Sequence, residues 1–371
     1  MRLKGIKKIS LAIKKKWLQL SLKVLLLFLF LALITVIALS SSFFTEKINI
    51  FNPGDSILKL KNVNNDKTKE EKCDNCYINP LTGVEQKQEI GFPVAIVIDN
   101  HIDARPPVSL SEAQIVYELP VEGSITRYLA IYDSRQDINK IGPVRSARPY
   151  MLDYIQELSA LFVHVGGSPQ ALVDIAKNNI FNLNEFYHGD SFIRDENRPK
   201  PHHIFIDFEN IKDYIKTQDK EKSTFFTWKF KESVEDININ NDNNDLDTNI
   251  NIDFGSDTYE VNWVYDFENN NYLRSLNDKV HVDDKNIDIR AKNIIIQKVN
   301  SQVLDEKLRL KIDTISEGEA VICFEARCNK GTWEKDSAKA RTRYYINGKE
   351  VEFSVGNFWI EILDQNATLK Y

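Results

Sequence analysis

From Val24 to Phe44 the chain runs 21 residues without a charge, mostly Leu, Phe, Ile, Val and Ala. At about 1.5 Å per residue, a helix of that length spans the roughly 30 Å of a bilayer core. Arg2, Lys4, Lys7, Lys8, Lys14, Lys15, Lys16 and Lys23 precede it with no acid among them, so the positive-inside rule predicts a cytoplasmic N-terminus and an extracytoplasmic remainder. A cleavable signal peptide is the competing reading, because Ala38-Leu39-Ser40 has the small residues of a cleavage site. The run exceeds an h-region of roughly 7–15 residues, which favours an uncleaved signal anchor in the cell membrane.

With the eight basic residues of the tail set aside, 40 Lys and Arg of the original 48 face 54 acids, a net of -14 beyond the membrane. Nucleic acid is excluded as a partner by that balance, since counterion-release binding needs a basic face. Cysteine is sparse: Cys73 and Cys76 form a C-x-x-C, Cys323 and Cys328 a C-x4-C. Outside the membrane disulfides are permitted, four thiolates are enough for zinc, and free thiols are the third option.

Residues 45–78 are polar with little periodicity and read as a stalk. "FPVAIVID" (92–99), "QIVYEL" (114–119), "ITRYLAIYD" (125–133) and "ALFVHV" (160–165) read as strands. "RPYMLDYIQEL" (148–158), "SPQALVDIAKNN" (168–179) and "DFENIKDYIK" (207–216) read as helices, the second with Ser168 as N-cap and Pro169 in the first turn. The Asn/Asp-rich stretch 235–253 is too polar to bury a core and reads as a linker or a large disordered loop. Strand-like runs follow it, with Asn347-Gly348 as a hairpin signal. The expected fold class is α+β behind one transmembrane helix. A mixed-sheet αβ layered sandwich (79–230) is joined through a linker (231–254) to a β-rich domain (255–371).

Polar side chains gather at the predicted strand ends of the first domain. Asp99-Asn100-His101 follows "VAIVI", Glu118 and Glu122 flank Pro120, and Arg145-Ser146-Ala147-Arg148 follows Gly142-Pro143. His164 precedes Gly166-Gly167-Ser168, and Pro201-His202-His203 precedes "IFID". A Gly-Gly-Ser turn opening a helix offers backbone N–H groups to an anion. Between Arg127 and Arg148 five basic residues meet two acids, a local +3 in an acidic chain. Paired guanidiniums clamp phosphate or carboxylate. The competing reading is that the arginines pair internally with Glu118, Glu122 or Asp153. His202 or His203 could serve as metal ligand or general base. No H-x-x-x-H, H-E-x-x-H or G-x-S-x-G motif is present, so no catalytic residue, metal site or cofactor is expected. Trp333, Lys335, Arg341, Arg343, Tyr344, Tyr345 and Trp359 could stack on sugars or hold an anionic polymer, and more often such residues are core and cross-strand pairs.

The ordered stretches "NPLTG" (79–83), "VAIVIDNHIDARP" (94–106), "LSEAQIVYELPVEGSITRYLAIY" (110–132), "IGPVRSARPY" (141–150), "HVGGSPQAL" (164–172), "PHH" (201–203), "GTWEKDS" and "NGKEVEFSVGNFWIEI" together resemble the YerB-like family. Its members are envelope proteins of Gram-positive bacteria, often lipoproteins, with two successive domains of unknown function. The resemblance implies an αβ layered first domain, a β-rich second domain and an outer-surface address, and it brings no reaction. The chain departs from the family at three points. The lipobox cysteine is missing, "SGLSEAD" reads Val108 to Gln114 here, and Pro-His-Asn reads Pro201-His202-His203.

The function expected is binding of an anionic envelope ligand by a membrane-anchored extracytoplasmic protein. Asp99, Asn100, Arg105, Arg127, Arg145, Ser146, Arg148, His164, Gly166, Gly167, Ser168 and His202 are the expected ligand-binding residues. One alternative is an envelope-polymer hydrolase or transferase with Asp99, Glu122, His164 or His202 as acid or base. The other is a scaffold that recruits an envelope protein through the β-rich domain.

Overall fold

Runs such as Pro93–Asp99 and Thr126–Asp133 are buried along their whole length, which requires cover on both faces of the sheet they enter. The computed structural model describes residues 76–220, 222–232 and 246–371, and that sheet has eleven strands. In chain order they are β1 (Pro93–Asp99), β2 (Ile115–Pro120), β3 (Thr126–Asp133), β4 (Leu161–His164), β5 (Asn182–Asn184), β6 (Asn293–Lys298), β7 (Glu317–Phe324), β8 (Arg327–Glu334), β9 (Arg343–Ile346), β10 (Lys349–Glu350) and β11 (Phe358–Leu363). Across the sheet the order is β10-β9-β8-β7-β6-β11-β2-β3-β1-β4-β5, with parallel and antiparallel pairs mixed.

Alternate residues of the central strands feed two cores. Val94, Ile96 and Ile98 of β1 lie in one, Ala95 and Val97 in the other. The second core takes Met151, Leu152 and Ile155 of helix α1 (Met151–Glu157) and Ala171 and Ile175 of α2 (Pro169–Lys177). The first takes Phe208, Ile211 and Ile215 of α3 (Phe208–Thr217) and the apolar face of a second, six-stranded sheet. The Ser168 side chain caps α2 with Pro169 just inside, as the sequence predicts.

Two readings need correction. Asn249–Asp253, placed in the linker by its composition, is a strand of the second sheet, paired with Glu260–Asp266 and Thr368–Lys370. Its period-two alternation buries Ile250 and Ile252 and leaves the asparagines on the other face. Tyr77–Ile78, assigned to the stalk, pairs with Glu85–Gln86. The apolar run Val24–Phe44 and its basic tail lie outside the described residues, among which no helix is long and apolar enough to cross a membrane.

The hairpins follow their turn residues. Asn347 and Gly348 both have positive φ and join Ile346 to Lys349 through a two-residue turn of the type that matches strand twist. Glu325 and Ala326 do the same between Phe324 and Arg327, and Cys323 and Cys328 on either side are joined in a disulfide. The aromatic and basic residues of 333–359 are largely core. Trp333, Lys335, Arg341, Tyr344 and Trp359 are all buried.

Lys335 and Arg341 belong to a buried ion network on Glu157 at the end of α1. Glu157 Oε2 accepts from Lys335 Nζ at 2.6 Å and from Thr342 Oγ1 at 2.8 Å, and Oε1 accepts from Arg341 Nη1 and from Tyr117 Oη at 2.9 Å. Burial alone would raise the Glu157 carboxyl pKa, but Lys335 and Arg341 pull it down to about 2 from 4.5. A depressed carboxyl contributes stability above its unfolded pKa and loses it as pH falls toward the folded one. Urea unfolding of wild type should therefore lose stability between pH about 4.5 and about 2, and Glu157→Gln should lose less over that range. At neutral pH the substitution strands two buried cations and should cost about 3–5 kcal/mol.

Candidate functional site

Asp99 ends β1 and stands opposite Arg127 at the start of β3, so the antiparallel register puts an acid and a base side by side at one sheet end. The 142–148 loop crosses that end. Asp99 N–H donates to Pro143 O, Arg145 N–H to Val97 O, and Ala147 N–H to Gly166 O in the turn after β4. Three arginines are thereby brought to one place.

Their hydrogen bonding separates them. Arg148 donates through Nε and Nη2 to the two Glu122 oxygens, both at 2.6 Å, and through Nη1 to Ala147 O at 2.9 Å. Its donors are spent inside the protein, and the ion pair holds the Glu122 carboxyl below its usual range against the opposing effect of burial. Arg145 places Nε 2.9 Å from Asp99 Oδ2, too poorly aligned for a hydrogen bond, and its Nη groups have no hydrogen-bond partner among the described residues. Arg127 is 8% exposed, donates only Nη1, to Ser146 O at 3.0 Å, and forms no ion pair among the described residues. Burial, then repulsion from Arg148 and Arg145, lowers its pKa to about 10. The Asp99 and Glu122 charges act in the other direction and offset only part of this, so Arg127 is a buried cation with no direct ion pair among the described residues, while its neighbour presents open donors.

Asp99 organises the acidic side. Oδ1 accepts His101 N–H at 3.1 Å, and Oδ2 accepts His202 Nδ1–H at 2.6 Å. That bond fixes the tautomer and leaves the His202 lone pair on Nε2, able to take a proton or a cation. His203, its neighbour, is buried with Nδ1 unpartnered. Asn100 donates to Thr126 Oγ1 at 2.7 Å and to Glu118 Oε1 at 3.3 Å, and its own Oδ1 holds Arg105 Nε at 3.0 Å. Arg105 also bonds Thr258 O and lies over the Tyr259 ring.

The Gly-Gly-Ser turn is less open than its sequence suggests. Gly166 N–H donates to Asn184 Oδ1 and Ser168 N–H to Ala147 O. Gly166 has φ +59, and a Cβ there would strike the Phe186 ring, so the turn requires glycine on two counts. His164 is fully buried, its Nδ1 against Gly166 O and its Nε2 against Asn182 Oδ1, and burial lowers its pKa. It braces the turn.

Sequence reasoning passed over the support beneath Glu118. Arg274 is completely buried, donates to Glu118 Oε2 at 2.5 Å and contacts His281 Nδ1 at 2.8 Å, with the rings of Tyr128, Trp263 and Trp359 around it. Glu361 faces Glu118 on the adjacent strand, and burial followed by the Glu118 charge raises its pKa well above the usual range. Aromatic neighbours of an arginine in "NWVY" and "FWIEI" are a signal that could have pointed to it.

This architecture belongs to a described class. Residues 81–221 match the model "Protein of unknown function (DUF3048) N-terminal domain", and residues 250–360 match that of its C-terminal domain. The chain belongs to the YerB-like two-domain family. It is 29% identical over 293 residues to the "Putative lipoprotein YerB" of Bacillus subtilis (strain 168), covering 76% of this chain and 85% of that protein. The crystal structure of YerB protein from Bacillus subtilis superposes with a TM-score of 0.70 at 27% identity, covering 80% of this chain and all of that one.

Arg127→Met removes a buried, unpaired cation and its repulsion with two neighbours. In the absence of added anion it should leave stability unchanged or raise it by about 1 kcal/mol, whereas Arg148→Ala, which strands Glu122, should lower it by about 1–3 kcal/mol. Chemical unfolding of the two variants beside wild type checks the contrast.

Proposed function

We propose that the chain is a membrane-attached extracytoplasmic envelope protein that binds an anionic group of the envelope through Arg127 and Arg145. The observation that supports this reading is the buried Arg127 guanidinium, which makes no direct ion pair among the described residues and is pressed by two further arginines, with Asp99 and Glu122 offsetting that only in part. An unpaired buried cation is costly, and an incoming anion is the counter-ion that repays the cost. Arg145 supplies free Nη donors beside it, in the fork geometry that suits a phosphate or carboxylate. Arg105 and Asn100 frame the same sheet end, and Arg148 serves by holding the loop to Glu122. Attachment through Val24–Phe44 accords with the lipoprotein title of the relative, since both place the folded part outside and tethered.

Melting curves of the full chain in detergent micelles, with phosphorylated lipids, teichoic acid fragments and wall peptides, test this. One ligand class should stabilise wild type by about 2–3 kcal/mol at roughly a hundredfold excess over Kd. That shift should weaken with salt and vanish in Arg127→Met. Absence of any shift across the panel, or an equal shift in Arg127→Met, refutes the reading.

A further inference from the structure

His202 is a prepared ligand. Its Nδ1–H is held by Asp99 Oδ2 at 2.6 Å, and its Nε2 has no hydrogen-bond partner among the described residues. The His101 ring lies against it, centroids 4.6 Å apart and planes 12° from parallel. Asp103, on the same short turn as His101, places Oδ2 3.6 Å from His101 Nδ1. One donor atom from each of His101, Asp103 and His202 lies within 4.8 Å of the other two.

Two imidazoles and one carboxylate are the donor set of open zinc and non-haem iron sites. A ligating histidine whose second nitrogen is held by a carboxylate is the usual outer support of such a site. We infer that His101, Asp103 and His202 form an open site for a first-row divalent cation such as Zn2+, with Asp99 positioning His202. The separation of His101 Nδ1 from Asp103 Oδ2 is close to the ~3.3 Å edge of a tetrahedron built on ~2.0–2.1 Å bonds.

His101 has a second role, since its Nδ1 accepts the Asp103 N–H at 3.2 Å and caps the Ile102–Ala104 turn. The cation takes over that lone pair, and the neutral ring keeps its proton on Nε2. Near-parallel rings cannot both point at one ion, so His101 tilts on binding, which its 34% exposed side chain permits. Asp103 and Asp99 supply negative charge, and Arg145 lies beside Asp99. The ligand set contains no arginine, so the inference stands apart from the anion reading.

The full chain in detergent micelles, stripped by a chelator, is titrated with Co2+ followed by its visible absorption, then with Zn2+ in competition. Wild type should bind one equivalent. Asp99→Asn should weaken binding ~10–100-fold, and His202→Ala and His101→Ala should weaken it further. No stoichiometric binding by wild type overturns the inference. So does wild-type affinity in His101→Ala, the deciding variant, because its half-buried ring lies outside both apolar cores, with the melting curve of that variant checking that the fold is kept.

Discussion

The pairing of β11 with β2 is the interaction on which the molecule depends. Residues 358–361 lie beside residues 115–118, so the last strand of the main sheet joins strands from both matched family segments. This places Glu361 next to Glu118, both fully buried, a juxtaposition that two ionised carboxylates could not tolerate. Arg274 is the ion-pair partner of Glu118, and burial beside that carboxylate pushes the Glu361 pKa well above its usual range. Glu118 in turn anchors Thr126 and Asn100, and Asn100 anchors Arg105. The frame of the candidate site therefore rests on a cation supplied more than 150 residues further along the chain.

Charge at the sheet end is divided between holding and leaving open. Arg148 is satisfied by Glu122 and two carbonyls, and it fixes the loop that carries Arg145. Arg127 and Arg145 are left with less acid than they need, because Asp99 is shared with His202. On the proposed reading the local cost of burying Arg127 is offset when an anion binds, with the Glu157 network and the two-sided core supplying stability elsewhere.

Much of this was legible in the sequence where local chemistry decides. β1, β3 and α2 fall within a residue or two of the predicted spans, because apolar runs bounded by Gly, Pro and Asp leave little choice. Asn347-Gly348 specified its turn, and the polar strand ends marked where the arginines meet. What escaped is set by long-range register. Sequence offered Arg148 three acids and only the fold selects Glu122. Composition hid the alternation of Asn249–Asp253. Nothing local shows that residue 202 returns to residues 101 and 103, or that Arg274 lies under Glu118.

The most direct test of the central claim follows the NMR signals of the arginine Nε–H groups in the full chain as pyrophosphate is added. The account predicts saturable shifts of the Arg127 and Arg145 signals, while Arg148, whose Nε is spent on Glu122, stays in place. Shifts spread equally over all three, or confined to Arg148, would contradict it.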